Sequence, residues 1–144
     1  VDIDRIDADR DALLRELLAQ VETAIAADRG VVLFTSRGER TFATKVERLA
    51  FGDRVAALLV DLERGLPTDI GFLISKGGIT SNDTLSKGLA LRTARVLGQV
   101  HPGCSVVRCP ADHPRFPDLP VVIFPGNVGG DGALAEVYQI LAAH

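Results

Sequence analysis

The chain of 144 residues lacks methionine altogether and has no long hydrophobic run. Its longest apolar runs, at 31–34 and 120–125, are far shorter than the roughly 20 residues of a membrane-spanning helix. Its N-terminus is acidic, whereas a secretory signal begins with basic residues followed by apolar ones. We therefore expect a cytoplasmic protein with no membrane partner. The absence of Met fits either a trimmed initiator or a domain of a longer protein.

The sequence also has no excess of positive charge. Its formal net charge is −3, with 16 basic and 19 acidic residues. A broad electrostatic footprint for nucleic acid is therefore excluded, and we expect no nucleic-acid partner. Any anion that the chain binds must meet a local site.

Cysteine and histidine are too few and too scattered to indicate a disulfide or a metal site. Cys104 and Cys109 are separated by an odd number of positions, so on an extended segment they face opposite ways and are expected to be reduced packing residues. His101, His113 and His144 show no metal-ligand spacing. No GxSxG-type serine and no local pair of carboxylates is present. We therefore predict no metal ligand and no catalytic residue in this chain.

Length and apolar content predict one compact domain over residues 1–144, since 47% of the residues are hydrophobic. Apolar strands that alternate with amphipathic helices predict an α/β fold, with three layers, a mainly parallel (mixed) sheet and helices on both faces. The closely spaced later strands indicate that part of the sheet is antiparallel. Loops are predicted at 36–52 and at the proline-rich stretch 109–120. Helices are predicted over 7–28, 53–64, 84–91 and 132–142, and strands over 31–36, 70–75 and within LGQV, CSVVRC and PVVIF.

The stretch ISKGGITSND passes from an apolar strand through two glycines into a helix start. Gly77 and Gly78 allow a ligand to approach the backbone, while the following helix points N–H groups and its positive dipole end at the same place. Thr80 and Ser81 add hydroxyl donors, and Asn82 or Asp83 is a candidate helix cap. This combination indicates a phosphate cradle. A tight, well-capped strand-to-helix turn explains the same residues, and neither GxxxxGK[ST] nor GxGxxG is present.

A second glycine cluster, FPGNVGGDG, again follows an apolar strand and opens a helix. Its glycines can form a backbone nest for anionic oxygens, and its asparagine can orient a phosphate or a ribose. Asp131 is expected to cap the helix, the alternative being that it holds a cation. The candidate ligand contacts are Gly126, Asn127, Gly129 and Gly130.

Two further polar residues stand at strand ends, where ligands gather in open α/β sheets. Ser36, in the sequence Thr35-Ser36-Arg37, is a candidate nucleotide contact or a plain turn hydroxyl. Lys76, directly before the glycine pair, is a candidate for neutralising phosphate charge or an ordinary exposed lysine.

Three segments, KGGITSND, GLALRTARVLGQVHPGCSVVRC and PVVIFPGNVGGDGALAEVYQIL, in this order and spacing, closely resemble the C-terminal domain of four-carbon acid sugar kinases. The resemblance covers residues 30–143. Many members of that family have Glu where this chain has Ile79, and Phe where it has Val128. Neither difference removes a glycine or a hydroxyl, so the phosphate-binding prediction is unchanged.

The resemblance implies a two-domain kinase in which an N-terminal domain binds the acid sugar and this domain binds ATP with Mg²⁺. By position, it implies that Ser36, the turn 77–81 and the turn 126–130 contact the nucleotide. Because in-line phosphoryl transfer needs a positioned acceptor, the chain alone is expected to be inactive. The alternative is a non-catalytic module that senses a nucleotide or another phosphorylated metabolite.

Overall fold

A computed structural model describes residues 1–36, 38 and 40–143, so predictions that involve Arg37 or His144 lie outside the described residues. The chain divides into two compact units, Val1–Pro67 and Thr68–His144. The expected single nucleotide-binding domain over 1–144 stays a prediction, and each unit is described by itself. None of the helices in the described part of the chain has the length and apolar character that a membrane crossing needs.

The first unit is a pair of helices. A short 3₁₀ turn, Ile3–Arg5, leads into α1, Ile6–Ala26, which is kinked at Asp9, and α2 spans Lys45–Gly65. Gly65 lets the end of α2 approach α1, because a Cβ there would lie 2.7 Å from a methyl of Leu18. The predicted helix 7–28 is confirmed by α1. The buried core of this helix pair consists of Ile6, Leu13, Leu17, Leu58 and Leu62.

Helix α2 begins eight residues earlier than the predicted helix 53–64, so the loop predicted over 36–52 is wrong in its second half. The reason is a capping box. Thr44 Oγ1 accepts a hydrogen bond from the Glu47 N–H at 3.2 Å, and the Glu47 carboxylate accepts one from the Thr44 N–H at 3.1 Å. This reciprocal pair satisfies two backbone donors at the helix start.

The strand predicted over 31–36 is wrong, because the described residues of this segment form no regular strand. Their backbone bonds run to Val1, which donates to the Phe34 carbonyl at 2.7 Å and accepts from the Ser36 N–H at 2.9 Å. A single bridge of this kind does not make a ladder. Four apolar side chains are exposed as a result: Val31, Val32, Leu33 and Phe34.

The second unit is built on a four-stranded sheet with the order β1-β4-β3-β2. β1 pairs with β4 in parallel, whereas β4–β3 and β3–β2 are antiparallel pairs. The predicted strand 70–75 and the three later strands are thereby confirmed, as is the antiparallel part of the sheet. The strands are β1, Leu73–Lys76, β2, Arg95–His101, β3, Cys104–Arg108, and β4, Pro120–Phe124.

Helices lie on both faces of this sheet. Ile74 and Val122 stand side by side in register and pack with Val137 of α4, Ala133–Ala142, in one buried cluster. Ser75, which points to the opposite face by strand alternation, hydrogen-bonds to the helical segment after β1. The α/β fold class with a mixed sheet and the predicted helix 132–142 are therefore confirmed.

The helical segment after β1 starts earlier than the predicted helix 84–91. Helix α3 spans Gly78–Asp83, and a π-helical turn, Thr84–Gly88, continues it. Gly77 is the N-cap residue, so the prediction that Asn82 or Asp83 caps this helix is wrong. Asp83 instead pairs with Lys87 at 2.8 Å.

Both cysteines are buried and free, as predicted. Burial raises the pKa of each thiol, because the thiolate is poorly solvated in an apolar environment. For Cys104 the positive charge of Lys76 acts in the opposite direction but does not offset burial.

Candidate functional site

The first glycine turn begins where β1 ends, at the carboxyl end of the parallel strand pair. Lys76 is the last residue of β1 and stands in register with Phe124, the last residue of β4. The next residue, Gly77, has φ +113°, a conformation that side chains rarely adopt, and its N–H donates to the Phe124 carbonyl at 2.8 Å. This bond fixes the turn against the end of the neighbouring strand.

The second glycine turn lies directly beside the first. A Cβ built on Gly126 would lie 3.9 Å from the Gly77 Cα. On the first turn Gly78 faces open space, as does Gly130 on the second. The two glycine turns are thus neighbours at one edge of the sheet.

A network of hydroxyl groups holds the first turn from beneath. Ser75 Oγ and Thr84 Oγ1 are 2.9 Å apart, and the Thr84 hydroxyl also donates to the Thr80 carbonyl at 2.9 Å. All of this lies in the interior, since Ser75 and Thr84 are buried. Neither residue was predicted from the sequence as part of this turn. The available signal was a serine on an otherwise apolar strand.

Ser81 is placed differently from the expectation of a ligand donor. Its hydroxyl donates to the Ser75 carbonyl at 2.9 Å, and its N–H donates to the Gly77 carbonyl at 2.8 Å. The side chain is buried, with 3% of its surface exposed. Both donors of Ser81 are therefore used within the turn, and we assign this residue to holding the turn in shape. Thr80, by contrast, is only half-buried.

Lys76 occupies the base of both turns. Its ammonium group lies 4.0 Å from the centroid of the Phe124 ring, a cation–π contact, and Nζ is 3.4 Å from the Pro125 carbonyl oxygen. The side chain is exposed. A positive charge is thereby placed at the start of the second glycine turn by a residue at the end of β1.

The second turn is shaped by its glycines and by Val128. Gly129 has φ +79°, and a Cβ there would overlap the methyl group of Ala133. Val128 lies against the turn between β2 and β3, where a Cβ on Gly103 would be 3.2 Å from both its methyl groups. Helix α4 has Gly132 as its N-cap residue, without a side-chain cap bond, so the prediction that Asp131 caps it is wrong.

Asn127 is exposed at the tip of the second turn. Among the described residues, no backbone-to-backbone hydrogen bond uses the N–H groups of Gly126, Asn127, Gly129 or Gly130. The Val128 N–H, in contrast, donates to the Pro125 carbonyl at 3.4 Å. The turn therefore presents several main-chain donors at its exposed side.

Ser36 belongs to the first unit. Its hydroxyl accepts a hydrogen bond from the Ile3 N–H at 3.3 Å, and its own N–H donates to the Val1 carbonyl. Its role as a nucleotide contact stays a prediction.

An open cleft of about 330 Å³ in the first unit is a second place where a ligand has room. Two guanidinium groups line it, those of Arg40 and Arg54. Both are already bound to one carboxylate, that of Asp7, at 3.1 and 2.8 Å. Both also lie on the ring of Phe51. These arginines are therefore engaged in packing and ion pairing within their own unit.

Within the described part of the chain, no group of three or more His, Cys, Asp or Glu side chains could hold a metal ion. The polar character of the glycine site comes from main-chain N–H groups and one lysine. Such a donor set suits phosphate oxygens.

The family model of the nucleotide-binding C-terminal domain matches the chain over residues 1–134, which include both glycine turns. No curated protein and no solved structure matches the chain significantly. The family match extends over most of the sequence, and its name agrees with the donor-rich turns at the sheet edge. The chain belongs to the family of nucleotide-binding C-terminal domains.

Proposed function

We propose that this nucleotide-binding domain holds ATP, with Mg²⁺, for a kinase that phosphorylates four-carbon acid sugars such as threonate or erythronate. In this proposal the phosphates of ATP lie between the two glycine turns. The observation that carries the proposal is the adjacency of these turns, with Gly126 and Gly77 in near contact and the Gly77 N–H bound to the carbonyl of Phe124. The acid sugar part rests on the sequence resemblance.

The first turn contributes the start of α3. Gly78, Ile79 and Thr80 are its first residues, and N–H groups at this position have no partner within a helix. The open space next to Gly78 lets phosphate oxygens reach them. Thr80 adds a hydroxyl group.

The second turn contributes the N–H groups of four exposed residues, which have no backbone acceptor: Gly126, Asn127, Gly129 and Gly130. Lys76 supplies a positive charge between the turns. ATP supplies the phosphoryl group, and Mg²⁺ is expected on its phosphates, because this ion usually keeps several waters and binds substrate phosphates with few protein ligands.

The acceptor is expected on another part of the enzyme, an N-terminal sugar-binding domain. Phosphoryl transfer is mostly a matter of positioning and charge stabilisation, and a chain that positions only the donor has no acceptor to act on. The isolated chain is therefore expected to bind nucleotide without catalysing transfer.

Calorimetry with ADP and Mg²⁺ tests the phosphate site. We expect saturable binding to the wild-type chain and a loss of affinity of about tenfold or more in Gly78→Val and in Gly126→Val, because a branched side chain occupies the approach to the N–H groups. Gly71→Val is the matched control, since this glycine also faces open space but precedes β1 at the other end of the strand.

Unchanged ADP affinity in either turn variant removes that turn from the proposal. Absence of ADP binding in the wild type overturns the whole proposal. The kinase assignment is tested separately, by measuring ADP release from ATP with four-carbon sugar acids, using the natural polypeptide that carries this chain. No sugar-dependent release there contradicts the acid sugar assignment and favours a nucleotide-sensing module.

A further inference from the structure

The turn between β2 and β3 lies at the same sheet edge as the two glycine turns. β4 ends at Phe124, the antiparallel β3 starts at Cys104, and β2 ends at His101, which pairs with Cys104. Neighbouring strands are about 4.8 Å apart, so His101 stands about 10 Å from the end of β4. The contact of Val128 with Gly103 joins the second glycine turn to this hairpin turn.

His101 presents a hydrogen-bond acceptor at this edge. Its Nδ1 is 3.1 Å from the Pro102 carbonyl oxygen, and because a carbonyl only accepts, Nδ1 carries the proton of this bond. In the neutral imidazole, Nε2 is then an acceptor. The side chain is held in place, with 22% of its surface exposed.

The group facing Nε2 is also an acceptor. The Glu136 carboxylate, on the first turn of α4, places Oε2 3.9 Å from Nε2, which is too far for a direct hydrogen bond. Its other oxygen, Oε1, lies 3.3 Å from the position of a Cβ on Gly132, so the carboxylate also borders the end of the second glycine turn. Two acceptors that face each other across such a gap suit a ligand with two neighbouring donors.

We propose that His101 and Glu136 form the ribose subsite of the nucleotide site and bind the two ribose hydroxyls. This inference rests on the proposed function, since the phosphates must lie at the glycine turns. A vicinal diol carries two O–H donors side by side, so each acceptor receives one bond. The distance of about 10 Å between His101 and the end of β4, which is two strand spacings, leaves space for the link from ribose to phosphates.

The alternative for this pair is an exposed ion pair of a protonated histidine with Glu136, which contributes little to stability. The two readings differ in what they predict for ligands. Only a ribose subsite makes affinity depend on the 2′ and 3′ hydroxyls.

The test is calorimetry on the full chain with three probes: ADP, 2′,3′-dideoxy-ADP and pyrophosphate, each with Mg²⁺. In the wild type we expect ADP to bind about tenfold to a hundredfold more tightly than the dideoxy compound, since one hydrogen bond to the Glu136 carboxylate and one to the neutral His101 ring are lost. Glu136→Ala should bring these two affinities within about a factor of three and leave pyrophosphate binding unchanged.

His101→Ala, which removes the acceptor, is a second variant with the same expectation, and unfolding temperatures verify that both variants fold. Asp112→Ala is the control, because it removes one exposed carboxylate from the loop between β3 and β4, at the opposite end of the sheet. The control should keep the full preference for ADP.

A wild type that binds ADP and the dideoxy compound equally well overturns the ribose subsite, as does full preference for ADP in folded Glu136→Ala. In both cases the proposed function stands if the wild type binds ADP and Gly78→Val weakens that binding about tenfold or more. If neither ADP nor pyrophosphate binds, the proposed function fails and the subsite fails with it.

Discussion

Ser75 and Thr84 share a buried hydrogen bond between their hydroxyl groups, 2.9 Å long, that joins β1 to the helical segment after the first glycine turn. In the sequence, Ser75 precedes the first glycine turn and Thr84 follows it. Its shape is therefore set from beneath by side chains that no ligand reaches. We expect this bond to matter for stability more than for direct contact with a nucleotide.

Thr84→Val should lower the free energy of unfolding by about 1–3 kcal/mol, because it leaves buried polar partners without their hydrogen bond. Urea denaturation measures this change. Ser86→Ala is the control, since its hydroxyl also donates to the carbonyl four residues earlier but is exposed. A loss in Thr84→Val no larger than in Ser86→Ala would contradict the structural role of the network.

Gly129→Ala should destabilise the protein by about 1–3 kcal/mol, since Ala disfavours a positive φ and its methyl group overlaps that of Ala133. Gly130→Ala should change stability by about 0.5 kcal/mol or less, because the same methyl group enters open space at a φ that needs no glycine. Thermal unfolding of the two variants compares adjacent glycines directly. Equal losses would show that the turn adopts another conformation.

Thr44→Ala should lower the free energy of unfolding by about 1 kcal/mol, because it removes the bond that the Thr44 hydroxyl accepts in the capping box of α2. Circular dichroism during urea denaturation follows this helix loss. Thr23→Ala is the matched control: its hydroxyl donates to the Ala19 carbonyl within α1, an exposed bond that adds nothing to helix stability. A Thr44→Ala variant as stable as Thr23→Ala argues against the early start of α2.

The thiols of Cys104 and Cys109 should be unreactive in the folded protein at neutral pH, because burial raises the pKa of both. The pKa of each thiol in the folded protein lies above the value of about 8.5 in the unfolded chain. The free energy of unfolding therefore keeps its full value below about pH 8.5 and decreases as the pH rises through the pKa values of the folded protein. Alkylation of folded and urea-unfolded protein measures the reactivity. Urea denaturation between about pH 7 and 10 measures the stability.

The variant Cys104→Ala, Cys109→Ala separates the thiols from lysine and tyrosine titration in the same range. It should be less stable at pH 7, since two packed groups are lost, yet show a shallower decline at high pH. An equally steep decline in this variant assigns the pH dependence to other groups.

Much of the second unit followed from its sequence. The β-branched strands, the terminal helix and the two glycine turns each carry a local signal, and the adjacency of the turns follows because carboxyl ends of parallel strands share one edge. The local sequence of β1 and β4 does not show that these two strands pair. Their pairing could be inferred only from the α/β pattern of the whole chain.

Other elements depended on signals that apolar periodicity does not contain. The start of α2 is fixed by Thr44 and Glu47, two polar residues inside a stretch predicted as loop. The hydroxyl of Ser81 donates to the Ser75 carbonyl because it is buried on the inner side of the turn, and burial is not contained in the local sequence. A strand at 31–36 requires a neighbouring strand along its length, and apolar composition alone does not supply one.

The parallel pairing of β1 with β4 has a consequence for folding. Between these strands the chain makes the β2–β3 hairpin and the proline-rich loop, so Lys76 meets Phe124 only after a long loop has closed. A partly folded intermediate in which β1 and β4 are not yet paired has at most one of the two glycine turns in place. Nucleotide bound to both glycine turns should therefore protect amides throughout the sheet against hydrogen exchange, because the slowest exchange would require release of the nucleotide first.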